Sequence, residues 1–177
     1  MSTIAVTPER FTLVAYDADR IAEITRGLAE RLQLTNPIVI EVDERTPLGK
    51  MSASVDSASS DATIRLQLES GALEDTKNLT NFSDTRAHLS LGRLLLRASD
   101  RLRDDFADAP PDRDLTNAQN TAWKVYCGGR LERLGLAPIQ QQYRYDFRNR
   151  FGFRDDVDTL FDRLWASENL GWHDLPG

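Results

Sequence analysis

Residues 83–105, SDTRAHLSLGRLLLRASDRLRDD, carry the strongest helical period in the chain. Ala87, Leu91, Leu94, Leu95, Ala98 and Leu102 recur at steps of three and four, so they share one face of a helix. Ser83 stands where a hydroxyl can accept from the free N–H groups of a first turn. Asp84 stands where the helix dipole favours negative charge. His88 falls at the edge of the apolar face, one turn before Leu91 and Gly92. Arg93, Arg97, Asp100, Arg101 and Asp104 are spaced for ion pairing along an outer face, at a few tenths of a kcal/mol, roughly, per pair.

Three stretches upstream alternate with period two, as strands with one wet face do. In Ile38 to Val42 the shared face is Ile38, Ile40 and Val42. In Leu48 to Val55 it is Met51, Ala53 and Val55. In Ala62 to Glu69, Ile64, Leu66 and Leu68 face in, while Thr63, Arg65 and Gln67 face out. Turn-rich separators, Asp43 to Pro47 and Asp56 to Asp61, divide them. One-sided alternation calls for helices over the apolar face. Further upstream, Asp17 can cap a helix whose stripe is Ile21, Ile24, Leu28 and Leu32, with Thr35-Asn36-Pro37 ending it. The run Phe11 to Tyr16 reads as a first strand or as the lead-in to that helix. Gly71 to Phe82 is a polar connection.

Downstream the pattern turns helical. The acidic, proline-broken loop 104–114 leads to Thr116 and Gln119, which form a T-x-x-Q capping box. The helix that follows carries Ala118, Ala122, Val125 and Gly129 as a stripe of small residues, with Trp123, Tyr126 and Leu134 beside it. Small residues in register let another backbone approach closely. Gly135 suits a C-terminal cap, and Pro138 forbids continuation. Residues 138–153 fit either period, but the four-residue spacing of Ile139, Tyr143, Phe147 and Phe151 runs longer and predicts a helix. Val157, Leu160, Phe161 and Leu164 mark a last helix. The reading is one α+β domain over residues 1–177: a small antiparallel or mixed sheet of three or four strands, helices on one face, and a helical C-terminal half.

Composition bounds the chemistry. The 177 residues carry a net charge of −6, which argues against nucleic acid or an anionic membrane as general partner. With 40% hydrophobic residues, a core forms without metal or disulfides. Cys127, the single cysteine, cannot form an intramolecular disulfide and suits a reducing compartment. The N-terminal residues lack the basic and long apolar segments of a secretory signal, and no apolar run reaches the roughly 18 residues of a membrane span. Cytoplasmic is therefore the expected location. Lys50, Lys77 and Lys124 are the lysines; the arginine bias in the remaining positive charge points to a GC-rich genome.

Helix, then strands, then a strand patterned Ile64-x-Leu66-x-Leu68, then a helix bearing His88, resembles the minimal zincin-like metallopeptidases over roughly residues 18–104. In that family the strand before the helix aligns a peptide by edge pairing. The helix carries HExxH: two histidines one turn apart bind zinc and the glutamate activates water. Only the first position matches, as His88; Leu89 stands at the glutamate position and Gly92 at the second histidine. Leucine cannot act as a base, and glycine offers no side-chain ligand. The resemblance thus implies a degenerate member, with no metal, no cofactor and no catalytic residue.

The leading expectation is a non-catalytic binding or protein-interaction domain with an unknown protein or small-molecule partner. One rival is a hydrolase-like enzyme using His88 or Cys127, which sits in Tyr126-Cys127-Gly128-Gly129-Arg130 and would need a neighbouring base. The other is anionic-ligand or nucleic-acid binding through Arg144, Arg148, Arg150 and Arg154, which interleave with Tyr143, Tyr145, Phe147, Phe151 and Phe153. Those arginines could equally pair with acidic neighbours such as the 104–114 loop. The aspartates of that loop lack EF-hand spacing and its glycine, and read as a solvated surface. No G-x-S-x-G, Walker or G-x-G-x-x-G pattern occurs.

Overall fold

In the computed structural model, residues 2–59 and 61–177 are described; Met1 and Ser60, the latter inside the separator 56–61, lie outside them. The chain divides into two compact units, residues 1–103 and 104–177, and the division falls at the start of the acidic loop.

The first unit is a four-stranded mixed sheet with two helices. Its elements are β1 (Ile4–Thr7), α1 (Ala18–Arg31), β2 (Ile38–Asp43), β3 (Met51–Val55), β4 (Ile64–Glu69) and α2 (Asp84–Arg101). Strand order is β1-β2-β4-β3. β1 and β2 run parallel with Ile4 opposite Ile38, and β2 and β4 run parallel with Ile38 opposite Ile64. β3 is antiparallel to β4, Met51 opposite Leu68. Parallel neighbours need a crossover, and α1 supplies it between β1 and β2. The alternation read for β2 and β4 holds: Ile38, Ile40, Val42, Ile64, Leu66 and Leu68 are buried, while Glu41, Asp43, Arg65 and Gln67 are exposed. α1 packs on β1 and α2, and α2 packs on β3 and β4.

Caps and stripes explain the two helices. The Asp17 carboxylate accepts from the Asp19 N–H at 2.9 Å, and Ile21, Ile24 and Leu28 are buried. α1 ends earlier than Pro37 requires: the chain reverses on Gln33, which adopts a left-handed φ of 56°, and Leu34 N–H bonds to Ala29 O. Ser83 Oγ accepts from Arg86 N–H at the start of α2. Ala87, Leu91, Leu94, Leu95 and Ala98 are all buried. Full burial of each leucine contributes roughly 1.5–3 kcal/mol.

Two local expectations are corrected. The first strand is Ile4–Thr7, not Phe11 to Tyr16. The latter run makes one isolated bridge, Ala15 with Asn81, and sends only Tyr16 into the core. Arg97 and Asp100 are buried, not on an outer face, and Arg103 stands 3.6 Å from Asp100. The strand before α2, β4, is interior, flanked by β2 and β3, so the sheet edge on that side is β3.

The second unit is helical: α3 (Asn117–Arg133), α4 (Gln140–Phe151) and α5 (Asp155–Ala166). Both halves of the capping box form, Thr116 Oγ1 accepting from Gln119 N–H and Gln119 Oε1 accepting from Thr116 N–H. The small-residue stripe admits α5: a Cβ on Gly129 would stand 1.8 Å from Trp165 O. Gly135 closes α3 with φ 78°. α4 is a helix, as its longer period predicts, and buries Phe147 against Phe161 at a centroid distance of 5.8 Å. Among the described residues no helix is long and apolar enough to cross a membrane.

Candidate functional site

His88 is placed by the second turn of α2. Its Nδ1 lies 2.7 Å from Asp84 O, one turn back. A carbonyl oxygen only accepts, so Nδ1 carries the proton and Nε2 of the neutral ring is the acceptor. Leu89 is half-buried and Gly92 buried, so neither flanking position offers a base or a ligand. A cleft of about 140 Å³ beside His88 is lined on the α1 side by Arg20, Glu23, Ile24, Gly27, Leu28 and Arg31. Arg20 spans the two helices: Nη1 bonds Glu23 Oε2 at 2.5 Å and Nε bonds Asp84 Oδ1 at 2.8 Å. Those bonds, to Glu23 first and then Asp84, hold the guanidinium pKa above its ordinary value. The cleft therefore pairs its charges internally around one imidazole.

The four arginines of the second unit sit on or just past α4. Arg148 forms a bidentate pair with Asp158, at 2.8 and 2.6 Å. Arg144 bonds Asp162, stands 3.5 Å from Asp158 and lies over the Phe161 ring at 4.2 Å. Arg154 pairs bidentately with Asp156 at 2.9 and 3.1 Å. Arg150 is exposed and has no ion pair among the described residues. The partners are aspartates of α5 rather than the 104–114 loop. The Arg148 bond, above all, holds the Asp158 carboxyl below the usual carboxylate range, and Arg154 does the same for Asp156. Three of the four arginines are thus committed to intramolecular carboxylates.

Cys127 is fully buried in α3, its sulfur 3.5 Å from Arg130 Nη2. His173 is exposed and pairs with Asp108 across 2.9 Å. Among the described residues no group of three or more His, Cys, Asp or Glu side chains is placed to hold a metal ion.

Sequence reading missed one feature. The uncovered face of the sheet ends, beside β3, in an open groove of about 280 Å³. Glu41, Asp43 and Glu69 line it with Gln67, Met51 and Leu68, and Lys50 stands at its rim. Gln67 Nε2 donates to Glu41 at 3.1 Å, and Lys50 N–H donates to Glu69 Oε2 at 3.0 Å. Asp43 accepts from Thr46 Oγ1 at 2.6 Å and from Arg45 N–H at 2.9 Å, and these bonds lower its carboxyl pKa. The groove lies at the C-terminal ends of the adjacent parallel strands β2 and β4, where open sheets with parallel strands commonly bind ligands. While Leu68 and its neighbour Met51 belong to the covered face, alternation marks Glu41, Asp43, Gln67 and Glu69 as outward-facing. Only the pairing of β2 with β4, across more than twenty intervening residues, brings them together.

Comparison with protein-family models, with curated proteins and with solved structures finds no match for this chain.

Proposed function

We propose that this protein is a non-catalytic binding or protein-interaction domain on a degenerate zincin-like scaffold. The observation that carries the reading is the setting of His88. Its Nδ1 donates to the Asp84 carbonyl, which leaves Nε2 as a single possible ligand, and Leu89 and Gly92 occupy the positions where a base and a second ligand would stand. A zinc site of that class needs three protein ligands and a fourth, open position. Hydrolysis further needs a group that takes a proton from water. The cleft beside His88 offers one imidazole, Arg31, and a Glu23 carboxylate already bonded to Arg20, which also bonds Asp84. Complete burial of Cys127 weighs against the nucleophile reading, since attack needs a thiolate that substrate can reach. The aspartates paired with Arg144, Arg148 and Arg154 weigh against the anion-binding reading.

The test is metal analysis of protein expressed in zinc-supplemented medium, together with peptidase assays of wild type and His88→Ala. Sub-stoichiometric zinc and no turnover are expected for both. Stoichiometric zinc with turnover abolished by His88→Ala would overturn the proposal.

A further inference from the structure

Independently of the setting of His88, we infer that the free edge of β1 binds a second copy of this chain, β1 pairing with β1 antiparallel about a two-fold axis at Ala5. In the ladder with β2, Ile38 N–H donates to Thr3 O at 2.8 Å, and the parallel register repeats that pattern at Ala5 and Thr7. The N–H and C=O groups of Ile4 and Val6 therefore point away from β2, off the edge of the sheet. Among the described residues these groups have no hydrogen-bond partner. Proteins ordinarily blunt such an edge with lysine, other charges, proline or a bulge. Ser2 to Thr7 holds no charged residue, the register from Ile4 to Thr7 runs unbroken, and Pro8 stands only after the strand has ended.

The choice of a second copy rests on the order of the side chains. Residues 3–7 read Thr-Ile-Ala-Val-Thr, the same chemical sequence from either end. A foreign strand would not require that order; a two-fold interface does, because every contact between two positions recurs with the positions exchanged. With the axis at Ala5, Ile4 lies opposite Val6 of the partner subunit, and the two exchange both backbone bonds, as do Val6 and Ile4 of the partner subunit. Ile4 is half-exposed on the helix-covered face, so the pairing also covers apolar surface. Ala5 meets Ala5 of the partner subunit in the closer, non-hydrogen-bonded position, where a methyl group is no obstacle. Thr3 meets Thr7 of the partner subunit, and facing threonines favour a strand pair. Thr3, Ala5 and Thr7 are all exposed. The contact is short, so the dimer is weak and concentration-dependent. Each chain carries a net charge of −6, so added salt screens repulsion and favours the dimer, the reverse of an ionic complex.

The experiment is sedimentation velocity of the full chain from micromolar to near-millimolar concentration at low and moderate salt, with amide hydrogen exchange at both ends of the series. The mass should climb from 20.0 kDa toward twice that value, and the Ile4 and Val6 amides should exchange more slowly at high concentration. Ile4→Pro removes an outward N–H from the first residue of an edge strand, where proline is tolerated. It should weaken association roughly tenfold or more, since symmetry deletes two hydrogen bonds. Ala5→Glu and Ala5→Lys should each weaken it about threefold by setting like charges opposite one another, and mixing the two variants should restore it. Ser54→Glu adds the same charge at an exposed position on the opposite edge strand and should leave association unchanged. Circular dichroism melts establish that each variant is folded. Wild type that stays at 20.0 kDa throughout would overturn the inference. So would a dimer whose Ile4 and Val6 amides stay unprotected, equal weakening by Ser54→Glu, or failure of the two Ala5 variants to pair. None of these results bears on the reading of His88.

Discussion

Two helical glycines predict opposite outcomes for the same substitution. On propensity alone, alanine in place of a mid-helix glycine stabilises by about 0.8–1 kcal/mol. At Gly27 in α1 a new Cβ meets nothing within 4 Å, so Gly27→Ala should realise that gain. At Gly129 in α3 the same atom would lie 1.8 Å from Trp165 O, 2.7 Å from its carbonyl carbon and 3.0 Å from its Cα. That is backbone, not the far end of a flexible side chain, so the neighbour cannot rotate away. To restore ordinary contact, α3 and α5 must part by more than about 1 Å, and close-packed interiors resist such shifts. The separation also strains the bond from Arg133 Nη1 to Trp165 O, now 2.8 Å, and the Trp165 Nε1 bond to Glu132, now 3.0 Å. Overpacking of this kind costs about 3 kcal/mol at the upper end of its usual range. With the propensity gain set against it, Gly129→Ala should destabilise by about 2 kcal/mol, or about 4–8 °C in Tm for a chain of this size. Trp123, Trp165 and Trp172 are the chain's tryptophans, and all lie in residues 104–177, so urea unfolding followed by tryptophan fluorescence reports on that unit. The midpoint should fall for Gly129→Ala with the slope unchanged, and the melt of Gly27→Ala by circular dichroism should rise. A neutral or stabilising Gly129→Ala would refute the close approach of α3 to α5.

Three further predictions concern single contacts. Thr116→Ala removes one half of the capping box and should cost about 1 kcal/mol by urea unfolding, with Thr116→Ser restoring most of it. Asp158→Asn removes the carboxylate that Arg148 and Arg144 share. Because that carboxyl pKa lies below its unfolded value, the pair's contribution is full above about pH 4 and fades as pH falls. The variant should therefore be less stable than wild type at neutral pH and converge on it in acid, as thermal melts across pH would record. Tyr16 donates to Ser70 O at 2.7 Å, and burial, with the Glu74 charge, pushes its phenol up to about 12. Tyr16→Phe should cost about 1 kcal/mol below pH 10. The difference should shrink as pH rises from 10 through 12, and ultraviolet titration of the variant should lack one phenolate step near pH 12.

What the sequence made legible was whatever a short segment decides for itself. The stripe of α2, the Thr116–Gln119 box and the alternation of β4 each need only neighbours within a turn or a strand, and each stands where the pattern places it. β1 was misplaced because Ile4–Thr7 is four residues long and owes its strand to β2. The longer apolar run Phe11 to Tyr16 looks more strand-like, yet it has no partner beyond one bridge. Arg97 and Asp100 fit ion-pair spacing on an outer face, and spacing cannot report that both are buried. His88 was legible as a position, but not its bond to Asp84, which depends on the rotamer the helix allows.

The groove residues illustrate the same limit with more consequence. Glu41 and Asp43 lie on β2, Gln67 and Glu69 on β4, and Lys50 just before β3, so no local window contains them. Their grouping follows from a parallel register, Glu41 opposite Gln67 and Asp43 opposite Glu69, that a hairpin excursion through β3 makes possible. Had β2 paired with β3 instead, those carboxylates would be dispersed along two edges. The topology therefore does for the open face what a motif does for an active-site helix: it concentrates charge of one sign at one place.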